Sequence, residues 1–165
     1  MEEIQFDYKG KTHAVAVDDD ALETLNKHQW YGFESPGGYL YCARFSGDFS
    51  NPVWFLHWDI MGKPAKGYHV DHRDGNTLNC QRVNMRICTH RENLTNRKRH
   101  KNNTSGYKGV TRNKGKWGAQ IKSNYKLIWL GTFDDPVSAA LAYDRAAREI
   151  FGEFANLNFP DASKS

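Results

Sequence analysis

The residues best equipped for chemistry lie between Tyr68 and Asn96, in the stretch YHVDHRDGNTLNCQRVNMRICTHRENLTN. Asp71 and His72 stand side by side, Asn79 and Asn84 follow, and Asn93 and Asn96 come later. Hydrolysis of a phosphodiester needs a base to activate water, oxygen ligands for a hard cation, and positive charge around the phosphate. His72 is the candidate base, because imidazole titrates closest to neutral pH. Asp71 offers an anionic oxygen and Asn93 a neutral carbonyl oxygen. Such a pair, completed by water and a phosphate, suits Mg²⁺ or Mn²⁺. The Asn84 amide both donates and accepts, so it is assigned to orienting the imidazole rather than to moving a proton. Arg73, Arg82, Arg86 and Arg91 are candidates for holding phosphates. Adjacent residues of a strand face opposite sides. Asp71 and His72 therefore serve one phosphate only if the strand end is irregular or the phosphate lies across its edge.

The elements that position these groups follow from the surrounding pattern. Tyr68–Asp71 reads as a strand and Arg73–Asn79 as a turn whose side chains bond their own backbone. Val83–Cys88 reads as the returning strand. Thr89 with Glu92 forms a capping box for a helix from about His90 to Arg99. The basic run Arg97, Lys98, Arg99 and Lys101 completes this helix and is assigned to DNA phosphates. Upstream, Ile4, Phe6 and Tyr8 alternate, as do His13, Val15 and Val17, which predicts two strands. Asp18–Asp20 are expected to cap a short helix, Ala21–His28, that buries Leu22 and Leu25. Trp30–Phe33 and Tyr39–Phe45 predict a hairpin around Ser35-Pro36-Gly37-Gly38. Asn51-Pro52 followed by Val53–Met61 is assigned to a helix with Pro in its first turn. His57 inside it reads as a structural histidine rather than a ligand.

Charge divides the chain unevenly. Residues 1–66 carry 6 Lys/Arg against 10 Asp/Glu, residues 67–105 carry 8 against 3, and residues 106–165 carry 9 against 6. The basic part begins where the Asp-His stretch begins, and a polyanion is the functional partner that such asymmetry suits. The cysteines, Cys42, Cys80 and Cys88, form no CxxC pair, so neither a disulfide framework nor a four-ligand zinc site is expected. No apolar leader and no run of 18 apolar residues occurs, which excludes a helical membrane span and leads to an expectation of cytoplasmic location.

From Tyr107 the pattern changes to three strands and a helix. YKGVTR, WGAQIKS and LIWLGTF are separated by turns, and Asp134-Asp135-Pro136 starts a helix that runs to Phe151 with Gly152 after it. Ala139, Ala142, Tyr143, Ala146, Ala147 and Ile150 make its apolar stripe. Asn156–Pro160 is expected to return over one end. Trp117, Ala119 and Ile121 share one face of their strand; Gly118, Gln120 and Lys122 share the other. A ribbon with one open face suits the major groove of duplex DNA, with lysines on phosphates and Gln120 at a base edge. The fold class is α+β: a small mixed N-terminal region leading into a strand–loop–strand–helix motif, then a three-stranded antiparallel sheet packed on one helix. The expected domains are residues 1–101, with the motif at 68–99, and residues 102–165.

Two resemblances sharpen this. VDHRDGN…N…N resembles the HNH nuclease motif (the ββα-metal fold), in the variant of phage and intron-encoded homing-type endonucleases that ends in Asn. The preceding FLHWDIMG resembles the segment that often leads into it. The resemblance implies His72 as general base, Asp71 and Asn93 as metal ligands and Asn84 as the brace of the loop. Residue 80 is Cys where relatives often carry Asn. GYKGVTRNKGKWGAQIK…WLGTFDDPVSAALAYDRAAREIFGEFANLNFP resembles the AP2/ERF DNA-binding domain. Contact positions map to Thr111, Asn113, Trp117, Gln120, Lys122, Leu127 and Trp129, and Arg112, Lys114 and Lys116 are added for phosphates. Thr111, Asn113 and Leu127 stand where plant relatives usually carry Arg, Gln120 replaces Glu, and Lys122 replaces Arg. The implied protein is a divalent-metal-dependent DNA endonuclease acting on double-stranded DNA as a monomer or transient dimer, in the host cytoplasm if phage-encoded. One such site cuts one strand. A non-cleaving DNA-binding regulator and an RNA-binding protein that uses the aromatic N-terminal sheet are the alternatives.

Overall fold

A computed structural model describes residues 3–95 and 103–160. Two compact units divide the chain, Met1–His90 and Arg91–Ser165. The expected domain boundary at 101/102 falls on residues outside those described.

The first unit opens with the hairpin β1 (Glu3–Tyr8) and β2 (Lys11–Ala16), in which Ile4 pairs with Val15 and Phe6 with His13. A short 3₁₀ turn, Asp19–Ala21, leads into α1 (Leu22–Leu25), and both of its leucines are buried as their spacing implies. Asp18 does not cap this helix with its side chain. Its carboxylate instead accepts from the backbone N–H and the guanidinium of Arg82, which Asp20 also holds.

A three-stranded sheet follows, in the order β3 (Tyr31–Glu34), β4 (Leu40–Phe45), β5 (Val53–Phe55). The expected helix over residues 53–61 is therefore only half helix. Val53–Phe55 pair with β4, and α2 (Leu56–Met61) begins after them, so Pro52 precedes a strand rather than a helical turn. The edge of β4 offers three residues their backbone hydrogen bonds, and the apolar triplet is taken by the sheet before the helix starts. The motif then forms as β6 (Tyr68–His72) and β7 (Met85–Thr89), antiparallel, followed by α3 (His90–Thr95). Val83, assigned to the strand, lies in a 3₁₀ turn, Arg82–Asn84, and is exposed.

One apolar core ties these pieces together. Phe6, Val15, Val17, Leu25, Cys42, Leu56, Cys80 and Met85 pack in it, drawn from the hairpin, α1, the sheet, α2 and the motif. Val15, Val17, Leu25 and Leu56 are at most 1% exposed, and each such side chain contributes roughly 1.5–3 kcal/mol of burial. The end of β2 also clamps the motif loop: Ala16 N–H donates to Leu78 O and Cys80 N–H to Ala16 O. The N-terminal residues thus give the two strands and the loop of the motif the core that they lack by themselves.

The second unit holds the antiparallel sheet β8 (Val110–Asn113), β9 (Lys116–Ser123), β10 (Lys126–Phe133) and the helix α4 (Pro136–Phe151). Asp135 caps α4 by accepting from the Ser138 N–H, and Pro136 starts its first turn. Ala139, Ala140, Ala142 and Ala147 are buried, and these small side chains bring the helix close to Val110, Ala119 and Ile121. Ile150, placed on the apolar stripe, is 40% exposed. Asp144 on the same helix is fully buried. Its carboxylate accepts from Asn158 N–H, Asn158 Nδ2 and Phe159 N–H, which fastens the returning C-terminal segment. Among the described residues no helix is long and apolar enough to cross a membrane.

Candidate functional site

The first unit brings Asp71, His72 and Asn84 to one end of the β6–β7 ribbon. Strand alternation sends the first two to opposite sides, as their adjacency requires. Asp71 pairs across the ribbon with Arg86, and His72 with Met85 at the last rung. Arg86 turns its Nε and Nη2 onto Asp71 Oδ2, both at 2.8 Å. Asp71 is 5% exposed and Arg86 8%, so this is a buried ion pair. Arg86 was one of four candidates for phosphate; its guanidinium is instead committed to the acid beside the base. Arg82 is likewise engaged, by Asp18 and Asp20.

His72, 4% exposed, lies on the other side of the strand. Its Nε2 is 3.7 Å from Cys80 Sγ, and its ring meets the His57 ring nearly edge-on at 5.5 Å between centroids. Burial pushes the His72 imidazole down against the opposing pull of Asp74 and Asp71. It is therefore neutral at pH 7, the state that can accept a proton. Burial drives His57 down to about 3, aided by His72. His57 stacks on Phe55 and packs against Tyr41 and Trp58, the environment of a structural histidine. Burial also raises the Cys80 thiol to about 12, so it stays protonated.

Two side chains, Asn84 and Asp74, hold the loop between the strands. Asn84 Oδ1 accepts from Asp74 N–H, and Asn84 Nδ2 donates to Asp74 Oδ1 and to Asn79 O. Asp74 also accepts from Asn76 N–H and from Asn79 Nδ2. These bonds, with burial opposing them, hold the Asp74 carboxyl below its ordinary range. Asn79 Oδ1 is buried and has no hydrogen-bond partner among the described residues. Arg73 N–H donates to Asn84 O and Gly75 N–H to His72 O, which closes the turn directly after the base. Among the described residues no cluster of three or more His, Cys, Asp or Glu could hold a metal. The oxygen donors assigned from the sequence, Asp71 and Asn93, are hard ligands of the kind that Mg²⁺ takes together with water. Asn93 lies on α3, in the second unit. Asn96, Arg97, Lys98, Arg99 and Lys101 lie outside the described residues.

The second unit presents the other candidate surface. Register places Thr111 opposite Gly118, Asn113 opposite Lys116, Gln120 opposite Trp129 and Lys122 opposite Leu127. These residues share the face turned away from α4, since Ala119 and Ile121 on the alternate positions pack in the core. Trp129 is half exposed and sets the outer edge of its indole against Gly118, where a Cβ would collide with its Cη2. Trp117 sits on the helix side, packed against the core, with the Arg112 guanidinium 4.7 Å from its ring centroid. Lys114 occupies a positive-φ turn position, and Lys116 forms an exposed pair with Asp134 at 2.9 Å.

Comparison with known proteins bears on both units. A family model for HNH endonucleases matches residues 61–95, and one for the AP2 domain matches residues 105–153. Protein 3.8 of Escherichia phage T7 is 37% identical over 101 residues, which covers 59% of this chain and 83% of that protein. The chain belongs to the protein 3.8 family. It carries an HNH endonuclease domain followed by an AP2 DNA-binding domain. Dehydration-responsive element-binding protein 2D of Arabidopsis thaliana is 50% identical over 62 residues, covering 36% of this chain and 30% of that protein. An AP2/ERF and B3 domain-containing protein of Oryza sativa subsp. japonica is 49% identical over 63 residues, covering 38% and 17%. The chain thus spans less than a third of these plant relatives.

Sequence reasoning gave one participant a different role and another none. Arg86 sits directly across the ribbon from Asp71, and a register count from the turn would have paired them. Cys80 touches the imidazole, and its only sequence signal was its departure from the motif's usual Asn.

Proposed function

We propose that this protein is a divalent-metal-dependent endonuclease that hydrolyses phosphodiester bonds of double-stranded DNA. The observation that supports this most is the buried Asp71–His72 step at the end of β6, next to a loop that Asn84 braces at three points. It falls inside the stretch matched by the HNH endonuclease model. A regulator that only binds DNA has no use for a neutral, buried histidine set beside a paired carboxylate and a rigid loop.

His72 acts as the base. A water O–H proton passes to the imidazole, the hydroxide oxygen bonds to phosphorus, and the bond to the leaving oxygen breaks, with a solvent proton completing that oxygen. Because Asp71 and His72 face opposite sides, the phosphate lies across the strand's end rather than on one face. Asp71 and, from the sequence motif, Asn93 would hold Mg²⁺ or Mn²⁺, which when bound stabilises charge on the phosphate and leaving oxygens. Asn84 keeps the turn after His72 in place, so its contribution is positional. The AP2 domain supplies duplex affinity through Lys116, Gln120, Lys122 and Trp129 on its open face, with Arg112 and Lys114 at its margin, while Trp117 supports the sheet from the helix side. Arg97, Lys98, Arg99 and Lys101 add phosphate contacts.

Supercoiled plasmid incubated with the protein and Mg²⁺ tests this. Wild type is expected to nick it, whereas His72→Ala, Asp71→Ala and an EDTA-treated sample leave it intact. A wild type that shifts duplex DNA on a gel yet cuts no substrate with Mg²⁺ or Mn²⁺ would make the protein a DNA-binding regulator.

A further inference from the structure

The sheet β3–β4–β5 has one face in the apolar core and one built of rings. Leu40 and Cys42 of β4 pack in the core. Alternation sends their neighbours Tyr41, Ala43 and Phe45 to the opposite face. There the register sets Tyr31 and Phe55 on either side of Ala43, Phe33 beside Tyr41, and Val53 beside Phe45. Tyr31, Tyr41, Phe45 and Phe55 thus surround one small residue. Phe55 meets Phe33 at 5.4 Å and Tyr41 at 5.3 Å between centroids, and Phe45 meets Phe49 at 5.2 Å. Tyr31 is 38% exposed, Phe45 46% and Phe49 90%. A bonded turn holds Phe49 out: Ser46 Oγ donates to Asn51 O and accepts from Asp48 N–H, and the Asp48 carboxylate accepts from the N–H and hydroxyl of Ser50.

The chemistry of this face narrows its occupant. Its apolar surface is nearly all aromatic, and it offers flat π faces rather than the aliphatic knobs that seat a helix. Flat rings with a cation beside them suit nucleobases, each of which has a π face, carried on a phosphate chain. The cation is Lys63, which is exposed. Its ammonium lies 5.0 Å from the Trp58 ring centroid and 5.4 Å from that of Trp54, and Trp58 meets Phe55 at 4.9 Å. Position then selects the strand. Phe55 stacks on His57 at 5.3 Å with 12° between planes, and His57 meets His72 at 5.5 Å. The face therefore begins two ring contacts from His72, and a strand whose phosphate reaches that imidazole has its adjoining nucleotides here. In a duplex the face of each base is covered by its neighbours, so only unpaired bases can use these rings.

We propose that this face is a stacking platform for unpaired bases of the DNA strand that flank the phosphate at His72, so that the preferred substrate is duplex DNA with a locally single-stranded segment at the cut. The place of the platform beside the cut rests on the nuclease reading above; the binding of single-stranded DNA does not. Tyr31, Phe45 and Phe49 take base faces, and Lys63 takes a phosphate of the same strand. The platform reads no sequence, since every base has a π face. A supercoiled plasmid supplies such segments, because negative supercoiling favours strand opening.

The test uses the full chain in EDTA, so that no strand is cut. Fluorescence anisotropy measures its affinity for oligothymidylate and for a duplex of the same length. Phe45→Ala with Phe49→Ala is expected to lower the ratio of single-strand to duplex affinity on the order of tenfold or more. Phe45→Leu with Phe49→Leu, which keeps apolar area but not the rings, should lose nearly as much, and Phe49→Trp should keep the wild-type ratio. Wild type crosslinked by ultraviolet light to an oligonucleotide that carries iododeoxyuridine is expected to be modified at Tyr31, Phe45 or Phe49 by mass spectrometry, a readout that needs no variant. An unchanged ratio in the alanine variant, or crosslinks confined to the second unit, overturns the proposal. Tighter binding of oligouridylate than of oligothymidylate through the same rings overturns it too, since the face would then be an RNA site. So does a wild-type dimer that the alanine variant dissolves while the ratio stays unchanged, which would make the face an interface between copies. Cleavage separates this proposal from the nuclease reading. With Mg²⁺, wild type should cut a duplex carrying an unpaired bubble several-fold faster than the fully paired duplex, and the alanine variant should lose that preference. Equal cleavage of both duplexes, with a ratio that the alanine variant does not move, would sink the platform and keep the nuclease. Ring-dependent binding of single strands without any cleavage would keep the platform and sink the nuclease.

Discussion

Arg86→Met tests the central construction of the site. The guanidinium gives Asp71 Oδ2 two hydrogen bonds at 2.8 Å inside a region where both side chains are under 9% exposed. Hydrogen bonds to a charged group contribute about 1.5–3 kcal/mol each. Removing one partner of a buried ion pair costs about 3–5 kcal/mol, because the remaining charge loses its compensation. The first route gives about 3–6 kcal/mol and the second about 3–5, a large share of the roughly 5–15 kcal/mol that holds a domain folded. Methionine keeps the length of the arginine stem, so little of the loss comes from packing. Asp71→Asn in the same background removes the charge that Arg86 was compensating, and the double variant should recover a substantial part of the stability. The assay is urea unfolding followed by far-ultraviolet circular dichroism for wild type, both single variants and the double. The coupling between the two sites should exceed about 1 kcal/mol. Lys9→Met, which breaks the exposed pair with Glu34, is the control and should move the midpoint little. An Arg86→Met variant within about 1 kcal/mol of wild type, or single effects that simply add, would refute the idea that Arg86 holds Asp71.

Three further outcomes follow from particular contacts. His57 is held down to about 3 by burial, so its contribution is complete above the unfolded value near 6.5 and is lost as pH falls toward 3; thermal melts should show wild type losing roughly 2–3 kcal/mol between pH 6.5 and 4.5 relative to His57→Phe, and parallel curves would contradict this. Gly118→Ala puts a methyl where Trp129 lies, so acrylamide quenching of tryptophan fluorescence should rise and duplex affinity fall, while the same quenching as wild type would show that the indole does not rest there. Asp144→Ala removes the acceptor for three hydrogen bonds and should cost at least about 4 kcal/mol, with faster amide exchange at Asn158 and Phe159; unchanged exchange would mean that the C-terminal segment is held by other contacts.

Much of the architecture was legible because it is written in local pattern. Alternation at Ile4–Tyr8 and His13–Val17 marks strands, since period two buries one face of a ribbon. Asp135-Pro136 and Gly152 bracket α4, because capping chemistry depends only on neighbours in sequence. The two faces of β9 follow from parity alone. The run Val53–Met61 was misassigned because an apolar stretch satisfies either periodicity, and the free edge of β4 decided the matter for its first three residues. Asp18 looked like a helix cap from its neighbours, but a partner far along the chain took its carboxylate.

What the sequence determined by itself is the order of elements, the division into a motif that carries Asp71, His72, Asn84 and Asn93 and a ribbon that carries Gln120, Lys122 and Trp129, and the residue types that phosphodiester chemistry requires. The tertiary structure alone decided which charges are already spent. Arg86 is bound to Asp71 and Arg82 to Asp18 and Asp20, while Cys80 lies against the imidazole. Periodicity and capping are set within a few residues, so they can be read along the chain. A buried group's partner is set by which strands meet and in what register, and a hydrogen bond from Arg82 to Asp18 across 64 residues leaves no trace in either neighbourhood.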